Sequence, residues 1–236
     1  PHRRTREVIE ICRRVWQREP VEYIGQCYTL PLPPDQGTGQ GKPLKLNVHP
    51  LRSRIPIYVA SLGARNVELT AEIADGWLPI FFVPEQASTI WGEALARGTA
   101  KRLPELGPLE IVAGGPVAIG DDVTSLRDLA RPRLALYIGG MGSRTTNFYN
   151  DLVCRYGFEA EAAEIQNLYL AGKKKEAEAL VPAALLEATS LIGPREYVRE
   201  RIAAYKEADV TVLNVSPIGP TPPARTIGQL RALIDA

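Results

Sequence analysis

The chain has 236 residues, 45% of them hydrophobic and 23% charged, the balance of an ordinary folded globular protein. Its 28 lysines and arginines against 27 aspartates and glutamates give a formal net charge of +1, so nothing points to a nucleic acid or another polyanion as partner. No stretch is apolar for long enough to span a bilayer, and the length suits one large α/β domain whose core needs no disulfide or metal.

Pro1-His2-Arg3-Arg4 has no apolar segment behind it, so it is not a signal peptide. It opens directly into a helix without a starting Met, and a cut start is expected. Residues 4 to 18 place Val8, Ile11, Cys12, Val15 and Trp16 at helical spacing, with Pro20 as the stop. Val21 to Leu30 suits a short strand or hairpin arm, and the Pro- and Gly-rich stretch Pro31 to Lys42 reads as a surface loop. Ile55 to Ala60 is a continuous apolar run, which predicts a strand buried on both faces. Ser61-Leu62-Gly63 turns into a helix carrying Val67, Leu69, Thr70, Ile73 and Ala74. Asp75-Gly76 stops it before a strand at Trp77 to Ile80.

The alternation continues. Pro84 to Arg102 is helical with Ile90, Trp91, Ala94 and Leu95 inward, and Leu109 to Ile119 is a strand. Val123 to Leu191 is a long helical stretch broken at Gly139-Gly140, Gly157, Gly172 and Pro182. Pro194 to Ala208 is a helix, Val210 to Val215 a strand, and Thr226 to Ile234 a closing helix. Strands alternating with helices predict a parallel sheet with right-handed crossovers. The four strands at 56–60, 77–80, 109–118 and 210–215 fit a doubly wound sheet or half of an eight-stranded barrel, and periodicity does not choose.

Chemistry concentrates at Ala60-Ser61-Leu62-Gly63-Ala64-Arg65-Asn66, where a buried strand hands over to a helix. First-turn amides there lack intrahelical partners, and the helix dipole adds positive charge. Gly63 admits an anion close to the backbone, Ser61 offers a hydroxyl and Arg65 a charge, so a phosphate cradle is one reading. An ordinary turn with an N-cap serine is the other. The segment is not the G-x-G-x-x-G dinucleotide fingerprint.

Elsewhere the signals are weaker. Tyr137, Met141, Asn147 and Tyr149 either line a substrate site or pack a Gly-rich kink. Asn214 and Ser216 sit at the end of the last strand, where barrel sites lie or where loops are capped. His49, before Pro50, reads as structural, Glu68 and Glu72 as a solvated helix face, and Lys173 to Lys175 with Glu176 and Glu178 as another. Cys12, Cys27 and Cys154 form no C-x-x-C pair and suggest free thiols in a reducing, cytoplasmic compartment. With only His2 and His49, no histidine-rich metal site can be built.

Three segments carry a resemblance. Pro56-Ile57-Tyr58-Val59-Ala60-Ser61-Leu62-Gly63, continued by Glu68 to Trp77 with its Ala74-Asp75-Gly76-Trp77 ending, resembles the fifth strand, loop and helix of luciferase-like oxidoreductases. Ala135 to Gly142 with Asn147-Phe148-Tyr149-Asn150 and Arg155-Tyr156-Gly157 is similar to the same family, as is Leu191-Ile192-Gly193-Pro194. Their order and spacing resemble its F420-dependent branch over nearly the whole chain.

The resemblance implies a (β/α)₈ TIM barrel of which this chain is the C-terminal portion, about four to five strands. It implies one barrel domain over 1–236, N-terminally incomplete, with a hairpin and loop insertion at 21–54 and a helical insertion at 121–193. Ser61, Leu62, Gly63 and Ala64 then hold a coenzyme phosphate through backbone N–H groups, flanked by Ala60 and Arg65. The coenzyme implied is F420, or alternatively FMN, with a small-molecule substrate and a homodimeric assembly. The activity implied is hydride transfer to or from a small organic substrate. A reduced-flavin monooxygenase using oxygen is the alternative, with an inactive cofactor-binding remnant and an unrelated doubly wound phosphate-binding protein as rivals. No residue qualifies as the catalytic acid. The family's first four strands carry several coenzyme contacts and have no counterpart here.

Overall fold

A computed structural model describes residues 2–235. The chain divides into two compact units, residues 1–77 with 94–109 and residues 78–93 with 110–236.

The first unit starts with α1 (His2–Trp16), then the short antiparallel pair β1 (Tyr23–Ile24) and β2 (Thr29–Leu30), which are in register Tyr23↔Leu30. Next come β3 (Tyr58–Val59), α2 (Ala64–Ile73) and β4 (Gly76–Trp77), a parallel strand–helix–strand unit with Tyr58 opposite Gly76. Helix α1 buries the stripe that its apolar spacing predicted only in part, with Ile11, Cys12, Val15 and Trp16 half-buried. Val8 is 43% exposed, whereas Glu7 and Ile9 are buried. The carboxylate of Glu7 explains the rotation, because it accepts the amides of Gln26 (2.9 Å), Cys27 (3.0 Å) and Tyr28 (2.9 Å) in the β1–β2 turn. Burial pushes the Glu7 carboxyl up, but these three amides outweigh it and hold it below the usual value. Gly25 must lack a side chain here, since a Cβ would lie 2.3 Å from Glu7 Oε2.

The run Ile55 to Ala60 also differs from expectation. Ile57 and Val59 pack on a core of Ile9, Leu69 and Ile73, while Pro56, Tyr58 and Ala60 on the opposite face are exposed. A strand two residues long, covered on one side by α1 and α2, buries only that side.

Asp75 closes this unit. Its carboxylate accepts the Ile57 amide (2.8 Å) and pairs with Arg13 (3.3 Å) and Arg54. The amides of Asp75 and Gly76 in turn donate to Ile57 O at 2.8 and 3.2 Å. Burial raises the Asp75 carboxyl, yet Arg54, the Ile57 amide and Arg13 together hold it below the ordinary carboxylate value. The Ala-Asp-Gly-Trp signature is therefore a clamp between the end of α2 and β3.

The second unit holds the start of α3 (Pro84–Thr99), which belongs to the first unit from Ala94 on, and then β5 (Glu110–Ile119). A run of short helices follows: α4 (Val123–Asp128), α5 (Arg131–Gly140), α6 (Phe148–Arg155), α7 (Glu159–Leu170), α8 (Lys174–Ala179) and α9 (Ala183–Ala188). The unit ends with β6 (Leu191–Gly193), α10 (Arg195–Glu207), β7 (Val212–Pro217) and α11 (Pro223–Ile234). Strand β5 lies between β6 and β7, parallel to both, with Val117 opposite Leu191 on one side and Gly114 opposite Asn214 on the other. Strand β6 starts at Leu191, the last residue of the expected helical stretch, and was not expected as a strand. Three residues are too few to show a period.

Phe82 centres the packing of this unit, stacked on Trp91 (5.7 Å) and on Tyr205 (5.9 Å). The Gly139-Gly140 pair lets Tyr169 of α7 lie against α5, since a Cβ at Gly139 would meet the Tyr169 Cβ at 2.4 Å and one at Gly140 its ring at 2.5 Å. Cys12, Cys27 and Cys154 are free thiols, and no helix among the described residues is long and apolar enough to cross a membrane.

Candidate functional site

The first candidate locus is the bend from β3 to α2. Ser61 is buried, and its hydroxyl lies 3.0 Å from Thr70 Oγ1, which itself donates to Asn66 O at 2.7 Å. The one proton of Thr70 is thus used, and Ser61 is the donor in their contact. The Ser61 carbonyl accepts the indole N–H of fully buried Trp77 at 2.9 Å. Ser61 therefore braces the bend and has no hydroxyl proton left for a ligand. It is also not the N-cap, a place taken by Gly63 at φ −71° and ψ 140°, without any side-chain cap.

Gly63 O accepts the amides of Asn66 (2.9 Å) and Val67 (3.0 Å). The amides of Ala64 and Arg65 precede these, and both residues are exposed. Neither amide has an acceptor among the described residues. An uncapped first turn with two open donors, the positive end of a ten-residue helix and a guanidinium on Arg65 suits an anion in chemistry and sign. Ala60 is exposed and Leu62 half-buried on the approach to this turn.

The second locus is a cavity of about 90 Å³ within the second unit. Pro79 to Phe81 form one wall, the stretch from Val112 to Pro116 on β5 another, and Asn214 with Ser216 on β7 a third. Ala130, Arg133 and Leu134 cover it from the start of α5. Gly114 lets β7 come close, because a Cβ there would sit 2.1 Å from Asn214 O. Phe81 has a left-handed backbone at φ 54°, uncommon for a non-glycine residue and of a kind that collects at binding sites. The Tyr156 hydroxyl secures it by donating to Phe81 O at 2.7 Å.

The four residues expected on the substrate side separate in the structure. Tyr137 and Tyr149 meet edge to face at 4.8 Å, and each also meets the Phe81 ring, at 5.2 and 6.3 Å. Asn147 is 3% exposed and caps α6, accepting from Tyr149 N (3.0 Å) and Asn150 N (3.1 Å). Its Nδ2 donates to Tyr137 O (3.1 Å) and Ile138 O (2.9 Å), which exhausts its hydrogen-bonding capacity. Asn147 thus fixes the corner between α5 and α6. Met141 follows α5 and is 48% exposed. Asn214 and Ser216 do line the cavity, whereas Phe81, Arg133 and the Gly114-Gly115-Pro116 run were not singled out from sequence. Two glycines and a proline inside a strand were the available signal of close backbone approach.

Comparison with known proteins fixes the class. The model for the luciferase-like monooxygenase family matches residues 1–211, and the chain belongs to that family. A Mycobacterium tuberculosis protein named as a coenzyme F420-dependent oxidoreductase is 42% identical over 220 residues, covering 92% of this chain and 63% of its own length. The 5,10-methylenetetrahydromethanopterin reductase of Archaeoglobus fulgidus is 26% identical, with 93% of this chain and 62% of that protein covered. The chain thus spans less than two thirds of the length of these relatives. Among solved structures, the coenzyme F420-dependent tetrahydromethanopterin reductase of Methanopyrus kandleri matches with a TM-score of 0.72 at 23% identity, over 99% of this chain and 60% of that one. That likeness gives the fold, the parallel α/β architecture of luciferase-like (β/α)₈ barrels.

Proposed function

We propose that this chain is the coenzyme-tail and substrate-facing portion of a coenzyme F420-dependent oxidoreductase acting on a small organic molecule. The observation that carries the reading is the pair of open amides of Ala64 and Arg65, in an uncapped helix turn that directly follows a parallel strand. Support comes also from the relatives named for F420, one of them 42% identical. The donor set fits the group: two N–H dipoles, a helix N-terminus and Arg65 suit a phosphodiester and would repel a cation. When bound, the coenzyme supplies a ring carbon that gives or takes hydride.

The residues of this chain bind and orient. Ala64 and Arg65 donate to the anionic tail, with Leu62 and Gly63 forming the approach. Ser61, Thr70 and Trp77 hold the bend rigid, so that its amides do not have to reorganise when the anion arrives. In the same reading, residues 21–54 and 121–193 are insertions of one barrel domain, and two copies form a dimer.

The test titrates the full-length protein with F420 and, separately, with FMN, following fluorescence quenching. Submicromolar to micromolar F420 binding supports the reading. A preference for FMN replaces it with the reduced-flavin monooxygenase, and failure with both removes the enzyme reading. Gly63→Val should weaken coenzyme binding by about tenfold or more by blocking close approach of phosphate to the amides. The backbone of Gly63 is ordinary extended conformation, so valine adds no strain there and a folded variant is expected. Unchanged affinity in that variant would remove the cradle.

A further inference from the structure

The cavity beneath α5 holds a feature that hydride transfer alone does not require. Among the described residues that line it, Arg133 is the one charged side chain, and it is exposed. Among the described residues it has no carboxylate partner, although eleven other lysines and arginines among them do. Its guanidinium lies over the Tyr137 ring, 5.8 Å from the centroid. Tyr137 is in turn locked edge to face between Phe81 (5.2 Å) and Tyr149 (4.8 Å). The charge is thus carried on an aromatic shelf that reaches back to the strained Phe81. Such a support lowers the rotamer freedom lost when the guanidinium engages a ligand.

The other polar groups around the cavity leave the charge to Arg133. The hydroxyls of Thr189 and Ser190 already donate to Leu185 O and Leu186 O, each at 2.6 Å. Asn214 and Ser216 also line the cavity and can add neutral hydrogen bonds. The cavity volume of about 90 Å³ is several times the roughly 10–15 Å³ that admits one water, enough for a head group of a few heavy atoms.

We propose that Arg133 is a specificity-determining residue of this site, and that the substrate is a small molecule bearing an oxyanion, a carboxylate or a phosphate, which Arg133 grips through its planar fork. This rests on the oxidoreductase reading above and names the substrate class of the same site. A guanidinium matches either oxyanion with two parallel N–H donors, which a neutral substrate would leave unused.

The experiment uses full-length protein and three probes of similar size: benzoate, phenyl phosphate and neutral benzyl alcohol. Binding is measured by calorimetry on coenzyme-free protein and again after F420 is added. The expected result is roughly tenfold or greater preference for an anionic probe over benzyl alcohol, lost in Arg133→Gln and partly kept in Arg133→Lys. The affinity for F420 should stay within about twofold in Arg133→Gln. Whichever anion binds better assigns the head group. Equal affinity for charged and neutral probes, or a preference that survives Arg133→Gln, overturns the proposal. Loss of F420 affinity in that variant also overturns it, by assigning Arg133 to the coenzyme. If wild-type protein binds no coenzyme, the oxidoreductase reading fails separately, while the coenzyme-free arm still decides whether Arg133 selects an anion.

Discussion

Replacing Asp75 with alanine tests the clamp that joins α2 to β3. The substitution removes the acceptor of three donors at once: the Ile57 amide and the guanidinium groups of Arg13 and Arg54. The amide is the costly one. It loses its partner in a part-buried position, worth about 1–3 kcal/mol. Arg13 and Arg54 have side chains 26% and 46% exposed, so water replaces much of what they lose, and each contributes about 0–1 kcal/mol. The sum is about 1–5 kcal/mol. For a chain of this size that lowers Tm by roughly 2–20 °C. Differential scanning calorimetry of wild type, Asp75→Ala and Asp75→Asn measures it. Asparagine keeps one acceptor oxygen for the amide and should recover part of the loss. A folded Asp75→Ala protein with Tm within a degree of wild type would show that the carboxylate clamps nothing.

Asn147→Ala removes the cap of α6 and two donors to the end of α5, an expected loss of about 1–3 kcal/mol by chemical denaturation. Asn147→Ser should restore the capping part alone. Tyr156→Phe strips the donor from the buried Phe81 carbonyl and should cost about 1–3 kcal/mol, with altered near-ultraviolet circular dichroism from the Phe81, Tyr137 and Tyr149 cluster. Acid should unfold the first unit early. Glu7 and Asp75 both have folded-state carboxyls held below their usual values, so the stability they contribute is complete above about pH 4–5 and is lost as the pH falls through the folded values. Tryptophan fluorescence followed down to pH 2 reads this, and Glu7→Gln should flatten the profile. An unchanged profile in that variant would mean that Glu7 accepts no amides from the β1–β2 turn.

The helices and strands around Ile57, Trp77 and Trp91 were legible because their apolar residues recur with a clear period and stop at Gly or Pro. The family signature was legible for a related reason: Asp75 and the Gly139-Gly140 pair each answer a need that only a few residue types meet. The inward face of α1 was legible only in part, since nothing local reveals that Glu7 accepts amides from the β1–β2 turn, 19 to 21 residues downstream. Strand β6 was missed because it exists only by pairing with β5.

At the candidate site, the βα bend at 60–66 and the type of donor it offers follow from local sequence, because backbone amides at a helix start need no particular side chain. Only the tertiary structure decided that the Ser61 hydroxyl turns inward to Thr70, that Asn147 is spent on capping, and that Arg133 stands over Tyr137 beside the cavity. Each of these depends on which groups, distant in sequence, the fold brings within hydrogen-bonding or van der Waals reach. Short-range periodicity carries no record of such distances.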